Sequence, residues 1–361
     1  MKINYKDEIS YLKSVFGKVG FSKENSQLLS KTLTDADLRG ISSHGIQRLK
    51  WYLSLVKEET IKPKNKFKII KESQNSLLID ANGNMGQIAC DNAMNKLIDK
   101  AKKFTISMAV IKNSNHFGTA GYWSRKASQK GLIGISMTNT RPLVVPINAF
   151  DAFLGSNAFS FTFPAKPHPF VFDGATSVVA GGKIQVHDKK GEQLPGEWVV
   201  DKNRNVVKDP KEAEESLYNA ALTEKQKGGG LLTLGGISEN NSNYKGFGNS
   251  IIVELLTGIL AQGSISADTN KGKHDFSQFL MVIDPSFFGN LDVLSNNASD
   301  MFNRLRRLKH LSGKKIIVPG DREYKFYDDN LKNGVSIDNV TLKQMEDISK
   351  TFNVNMPDIF S

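Results

Sequence analysis

The sequence carries one cysteine, Cys90, so it has no means of forming an intrachain disulfide. That fits a reducing compartment, and a cytoplasmic protein is the expectation. Long hydrophobic runs are missing too. A membrane span needs roughly 18 or more apolar residues in a row. The most apolar stretch here, residues 251–261, is broken by Glu254 and Gly258. The opening residues, MKINYKDEISYLK, lack the apolar segment of a secretory signal. The six histidines show neither H-E-x-x-H nor H-x-x-H spacing, so no metal site is expected. No G-x-S-x-G nucleophile elbow is present. No G-x-G-x-x-G follows a strand, and there is no Walker A sequence, so the usual dinucleotide and nucleoside-triphosphate signatures are missing. Internal repeats and low-complexity tracts are also lacking.

What is present is an ordinary globular composition, 39% hydrophobic and 24% charged over 361 residues. That length fits one large domain or two ordinary ones. The net charge of +11 favours anionic partners. A basic nucleic-acid-binding protein is therefore the reading from a different functional class. The lysines are scattered, however, and there is no arginine-rich tract, zinc-finger spacing or RNP-like motif. The expectation is a small anionic partner, with no nucleic acid and no membrane.

The chain begins with helical patterning. Tyr5 to Lys18 places Ile9, Leu12, Val15 and Phe16 at helical spacing. Ser22 is placed to cap a second helix, and Ser43 a third with Ile46, Leu49, Leu53 and Val56 on one face. SLLID (76–80) and TISMAVI (105–111) then read as strands flanking a helix over 87–103. LIGISMT (132–138), the alternation of Phe159, Phe161 and Phe163, PFVFD (169–173) and residues 278–284 read as further strands. A helix over 250–262 is apolar nearly all round and reads as buried. Two polar stretches, 188–209 and 263–275, interrupt this region, and the second reads as a mobile loop. Helices return at 293–308, near 324–332 and at 342–352. These elements predict an α/β (α+β) fold. A mixed-sheet domain, residues 81–289, is inserted into a helical domain made by residues 1–80 and 290–361.

Three constellations carry chemistry. In ISSHGIQR (41–48), a helix starting at Ser43 would put His44 and Arg48 on one face. An imidazole titrates near neutrality and can move a proton, and a guanidinium can hold a carboxylate with two parallel hydrogen bonds. Together they suit a 2-oxo acid, although a surface His and Arg on an amphipathic helix would read the same. In NSNHFG (113–118), small residues between a strand and a helix over 119–130 let backbone N–H groups face a phosphate. There His116 either faces a ligand or lies in a polar turn. Gly-rich punctuation at 154–157, 173–177, 234–236 and 244–248 reads as tight turns.

Taken in order, these segments resemble the malate/L-lactate dehydrogenase family that lacks a Rossmann fold. The matching runs are ADLRGISSHGIQRL, VIKNSNHFGTAGYW, GLIGISMTNT, LGSNAF, FDGATSVVAGGKI, LLTLGG, YKGFG with IIVELLTGIL, and VPGDRE. The family includes archaeal-type malate and sulfolactate dehydrogenases, ureidoglycolate dehydrogenase, 2,3-diketo-L-gulonate reductase and piperideine-2-carboxylate reductase. The resemblance implies a non-Rossmann mixed-sheet cofactor domain, NAD or NADP as cofactor, a homodimer, and a small 2-oxo or 2-hydroxy acid as substrate. Reduction of a cyclic imino acid or of a 2,3-diketogulonate-type acid are its alternatives. It implies His44 as proton donor, with Ser43 beside it as a relay. Arg48 becomes the carboxylate clamp, and Ser156 a substrate contact. His116 takes either a general-base or a cofactor role. Phe117, Gly118 and Thr119 are implied to line the cofactor, and Asp173, Gly174 and Ala175 to form a nucleotide-contacting turn. Lys183 would neutralise phosphate or tune the relay. Tyr244 and Lys245, with Gly320, Asp321 and Arg322, complete the cofactor set. The sequence departs from the family at Gly174, commonly Met, at Ala158, usually Pro, and at Gln278, often His in malate-type members. The loop before Tyr244 is lengthened at 240–243. Arg141 is either a second charge for a dicarboxylate or a salt-bridged surface residue.

Overall fold

A computed structural model describes residues 1–220, 228–269 and 275–360. Its centre is a seven-stranded sheet. The spatial order is Lys68–Glu72, Ser76–Asp80, Ile106–Ser114, Phe276–Ile283, Ile133–Thr138, Ala158–Phe163 and Phe170–Gly174. One neighbouring pair, Ser76–Asp80 with Ile106–Ser114, is parallel, and the helix Gly86–Phe104 makes the crossover it requires. Every other neighbour is antiparallel. The mixed sheet is therefore not the parallel doubly wound kind, which accounts for the missing glycine fingerprint.

Packing explains the strand patterns. Ser76–Asp80 alternates half-buried and buried positions, whereas Phe276–Ile283 is buried at nearly every position. The latter lies mid-sheet with side chains packed over both faces. On one face Leu280 and Val282 meet Ala93, Leu97 and Trp123 of the helices Gly86–Phe104 and Ala120–Ser128. On the other, Phe279 meets Met137 and Val253.

A second core is made by both ends of the chain. Tyr11, Leu12, Val15 and Phe16 of helix Tyr5–Lys18 join Leu29 and Leu33 of helix Lys23–Leu38. Val335, Met345 and Ile348 complete the cluster. The strand Lys2–Ile3 pairs with both Val335–Ser336 and Ile359–Phe360. A third, smaller core gathers Ile184, Val199, Val207, Ala213, Leu217 and Leu231 around helices Gly181–Lys190 and Pro210–Ala220. Neither of these two helices was expected from the sequence.

Two sequence expectations are corrected. No helix begins at Ser43: the chain makes two 3₁₀ turns, Ser42–His44 and Ile46–Arg48, and the α-helix starts at Leu49. The helix expected over 250–262 is observed as Tyr244–Glu254 continued by a π-type turn, Leu255–Ile259. It is not buried all round: Ile252, Leu255 and Ile259 are about half exposed, at 49%, 51% and 55%. The loop read as mobile, 263–275, falls partly outside the described residues. Of its described part, Asp275 accepts bonds from the Asn113 and Ser264 amides at 2.6 and 2.9 Å.

Candidate active site

The segment 42–48 is shaped by a buried carboxylate behind it. Asp37, on helix Lys23–Leu38, accepts the Ile46 amide at 2.5 Å. A Cβ on residue 45 would lie 1.9 Å from that carboxylate, so only glycine lets Asp37 reach the loop. This tertiary bond, with Gly45 at φ −91° and ψ −149°, is what interrupts the helix. Asp37 is backed by Glu8, which accepts the Thr34 hydroxyl at 2.9 Å. Burial raises both carboxyl pKa values, that of Glu8 to about 7, and the Glu8 charge raises Asp37 further.

The two turns present a compact set of groups. The Ser43 hydroxyl lies 2.9 Å from His44 Nδ1. Arg48 Nε donates to the Ser43 carbonyl, which fixes the guanidinium beside the imidazole without a continuous helix. The His44 and His116 rings stack with centroids 5.5 Å apart and planes 26° from parallel. The strand Ile106–Ser114 brings His116 there by ending just before it. Burial and then Arg48 bring the His44 pKa down to about 3. Burial, then His44 and Arg48, put that of His116 well below its ordinary value. Both imidazoles are therefore neutral near pH 7.

Positive charge is left uncompensated around them. Among the described residues neither Arg48 nor Arg141 has an acidic partner. Arg141 is exposed to solvent, and desolvation by the protein around it and then the Arg48 charge lower its pKa. The two guanidiniums thus repel each other across the site. An anion placed between them would relieve that repulsion.

Ser156 is reached from the same side, since its hydroxyl lies 3.3 Å from that of Thr140 and its amide bonds Thr140 Oγ1 at 3.0 Å. The start of helix Gly181–Lys190 closes the other side. A Cβ on Gly182 would stand 2.8 Å from Ser43 Cβ and 3.8 Å from an Arg48 Nη, so the two backbones touch. Lys183 follows, its ammonium 5.9 Å from the Trp198 ring centre.

The remaining sequence-predicted residues sort unevenly. Phe117 is 1% exposed and packs on Trp123, whose Nε1 also bonds its carbonyl at 2.9 Å, so its side chain does not face a ligand. Gly118 donates its amide to His116 Nδ1 at 3.3 Å. Thr119 begins helix Ala120–Ser128, and its buried hydroxyl has no partner among the described residues. Within that first turn the Gly121 amide is already taken by Asp173 at 2.7 Å. Burial raises the Asp173 pKa to about 6. Gly174 ends the strand that carries Asp173, and Ala175 follows. The C-terminal turn lies against this strand: a Cβ on Gly320 would be 3.2 Å from the Val171 amide. Asp321 is committed to Arg306, with contacts of 2.6 and 2.9 Å, and Arg322 lies over Phe326. Tyr244 and Lys245 contact each other at the start of helix Tyr244–Glu254. Asn243 just before them has a buried Oδ1 without a partner among the described residues.

Sequence reasoning missed four contributors: Asp37, Tyr52, Gln87 and Gly182. The Tyr52 hydroxyl lies 2.6 Å from His116 Nδ1 and is itself bonded by Gln87 Nε2 at 3.2 Å. Only Gly182 left a trace, as the second glycine of a pair before Lys183. Tyr52 reads as one more member of an apolar stripe, and Gln87 as an ordinary helix residue.

A pair of neutral imidazoles beside uncompensated guanidiniums, at the end of an interior strand of a non-Rossmann mixed sheet, suits an oxidoreductase of 2-hydroxy acids. The chain belongs to the malate/L-lactate dehydrogenase family, whose profile it matches over residues 3–346. It is 35% identical to a malate dehydrogenase of Pyrococcus abyssi, covering 97% of this chain and 94% of that one. It is 31% identical to a malate/(S)-sulfolactate dehydrogenase of Methanothermus fervidus, over 99% of both chains. The crystal structure of malate dehydrogenase from Entamoeba histolytica superposes with a TM-score of 0.94 at 31% identity, again over 99% of both chains.

Proposed function

We propose that this protein interconverts a dianionic 2-oxo acid, of the oxaloacetate or sulfopyruvate kind, and its 2-hydroxy acid, with NAD or NADP. The observation that carries the reading is the pair of guanidiniums that lack acidic partners among the described residues, Arg48 beside His44 and Arg141 within reach of the Arg48 charge. Malate and sulfolactate, named for the relatives above, both carry two negative charges.

Arg48 holds the carboxylate next to the reacting carbon, and Arg141 takes the second anionic group. His44 Nε2 gives a proton to the substrate oxygen in reduction and takes it back in oxidation. Ser43, bonded to Nδ1, orients the ring, and Ser156 with Thr140 offers hydroxyls to the substrate. A bound nicotinamide supplies the hydride in one direction and accepts it in the other. The chain fits such a cofactor at two helix starts where buried polar atoms lack partners, Thr119 Oγ1 and Asn243 Oδ1. Gly118 and Thr119 would hold it on one side and Tyr244 with Lys245 on the other. Lys183, the turn 173–175 and the turn 320–322 complete the set.

The half-exposed apolar row of Ile252, Leu255 and Ile259 supports a homodimer, with a second copy covering it. Light scattering on the protein should give twice the chain mass, and Leu255→Arg should give monomers. The free, buried thiol of Cys90 accords with a cytoplasmic location. No described helix is long and apolar enough to cross a membrane.

The test is an assay at about 340 nm with NADH or NADPH against oxaloacetate, sulfopyruvate, pyruvate, 2,3-diketogulonate and piperideine-2-carboxylate. The expected result is a kcat/KM at least about tenfold higher for a dianion than for pyruvate, the ratio closing in Arg141→Ala. Equal use of pyruvate, or an unchanged ratio in that variant, would refute the dianion assignment.

A further inference from the structure

His116 is held by donors alone. The Gly118 amide can only donate, and it donates to Nδ1 at 3.3 Å. The Tyr52 oxygen lies 2.6 Å from the same Nδ1, and a nitrogen that already accepts an N–H meets it only as the acceptor of the phenol proton. Gln87 Nε2 lies 3.2 Å from the Tyr52 oxygen and steadies it. A ring nitrogen that receives two N–H or O–H donors carries no proton of its own. Turning the ring over would set a C–H against both donors and leave each of them empty. Tyr52 is 1% exposed, so no water is at hand to replace it. The groups facing the ring are Tyr52, Trp51, His44 and the nearby Arg48. None of them is an acid that would stabilise an imidazolium.

We propose that Tyr52 and the Gly118 amide lock His116 in the Nε2–H form, so that His116 serves as a neutral hydrogen-bond donor to the substrate and not as the base. His44 is then the single group that exchanges the proton. Tyr52 is a positioning residue that acts through His116, and Gln87 orients Tyr52. The catalytic part of this statement rests on the function proposed above, whereas the lock itself is a property of the unliganded protein. A neutral imidazole aimed at a carbonyl polarises it without competing for the proton that His44 delivers.

The experiment uses the full chain labelled with [¹⁵N]histidine and no substrate. His116 is assigned by the resonances that vanish in His116→Gln. At neutral pH the wild type should show an unprotonated Nδ1 and a protonated Nε2, a pattern that persists well below the ordinary histidine pKa. Tyr52→Phe keeps the ring and removes the donor, and should shift both resonances towards a mixture of tautomers. In turnover, Tyr52→Phe should lower kcat about tenfold with KM little changed. His116→Gln, which still offers an N–H, should stay within about tenfold of wild type, whereas His116→Ala loses on the order of 10²–10³. A protonated Nδ1 or an imidazolium in the wild type at neutral pH would overturn the lock, whether or not the Tyr52→Phe variant folds. So would unchanged resonances in Tyr52→Phe. A His116→Gln protein as inactive as His116→Ala would overturn the donor role. Silence across the substrate panel with the expected resonances would count against the function and leave the lock standing.

Discussion

In the proposed reaction His44 meets its substrate without a proton, and this sets how each direction depends on pH. With burial and Arg48 holding its pKa at about 3, the neutral form needed to oxidise a 2-hydroxy acid is already the form present. The kcat/KM for oxidation should therefore be flat, as far as His44 is concerned, between about pH 5 and 8. Reduction needs the protonated form, so its kcat/KM should fall about tenfold for each pH unit over the same span. Initial rates in both directions across that range check this, and a falling acid limb near pH 6.5 for oxidation would contradict it. A substrate carboxylate on Arg48 offsets the guanidinium charge and raises the His44 pKa, so 2-oxo acid binding should take up protons. His44→Ala should lower kcat more than it alters KM, because the proton moves only in the transition state. Arg48→Ala should mainly raise KM.

Among the elements, the close contact between the loop 42–48 and the start of helix Gly181–Lys190 is the one most exposed to small changes. Gly182→Ala places a methyl 2.8 Å from Ser43 Cβ, and either the loop or the helix must move. Displacing Ser43 and Arg48 by even an ångström costs on the order of 10²-fold in rate, so the variant should lose activity while its thermal midpoint stays near that of wild type. Full activity in Gly182→Ala would show that the helix end is free to retreat. The same elements show where the sequence was legible. Helix Tyr5–Lys18 and strand Ser76–Asp80 carried their periods and were found at their observed bounds. His44 and Arg48 were read on one continuous helix and misplaced as structure, because the break between them comes from Asp37 reaching Gly45, a contact without local signature. Tyr52 and Gln87 went unseen because each looks like its neighbours, and their function lies in a bond made 64 residues away in one case and in a relay in the other. The helix over 250–262 was read as buried because apolar residues cover it all round, yet Ile251, Ile252, Leu255, Ile259 and Leu260 are exposed.

On the scale of the molecule, the catalytic loop is braced by an ionisable pair within the terminal core. Glu8 has its folded pKa raised from 4.5 to about 7 by burial. Its contribution to stability is therefore whole below about pH 4.5 and is lost as the pH rises through about 7. Glu8→Gln keeps the shape and removes the ionisation. Its melting temperature should gain on that of wild type as the pH goes from about 5 to about 8, readable by circular dichroism. His44 acts in the opposite sense, since its lowered pKa gives stability present above about 6.5 and lost as the pH falls towards about 3. The core that holds this loop is also stitched from the two ends of the chain: Lys2 pairs with Phe360, and the Tyr11 hydroxyl bonds the Met345 carbonyl. During synthesis the sheet, whose last strand ends at Ile283, can close while the partners of the first helix are still unmade. A chain emerging from the ribosome therefore has its central sheet before the loop that carries His44 is set. The finished active site appears only when the final strand returns to the first.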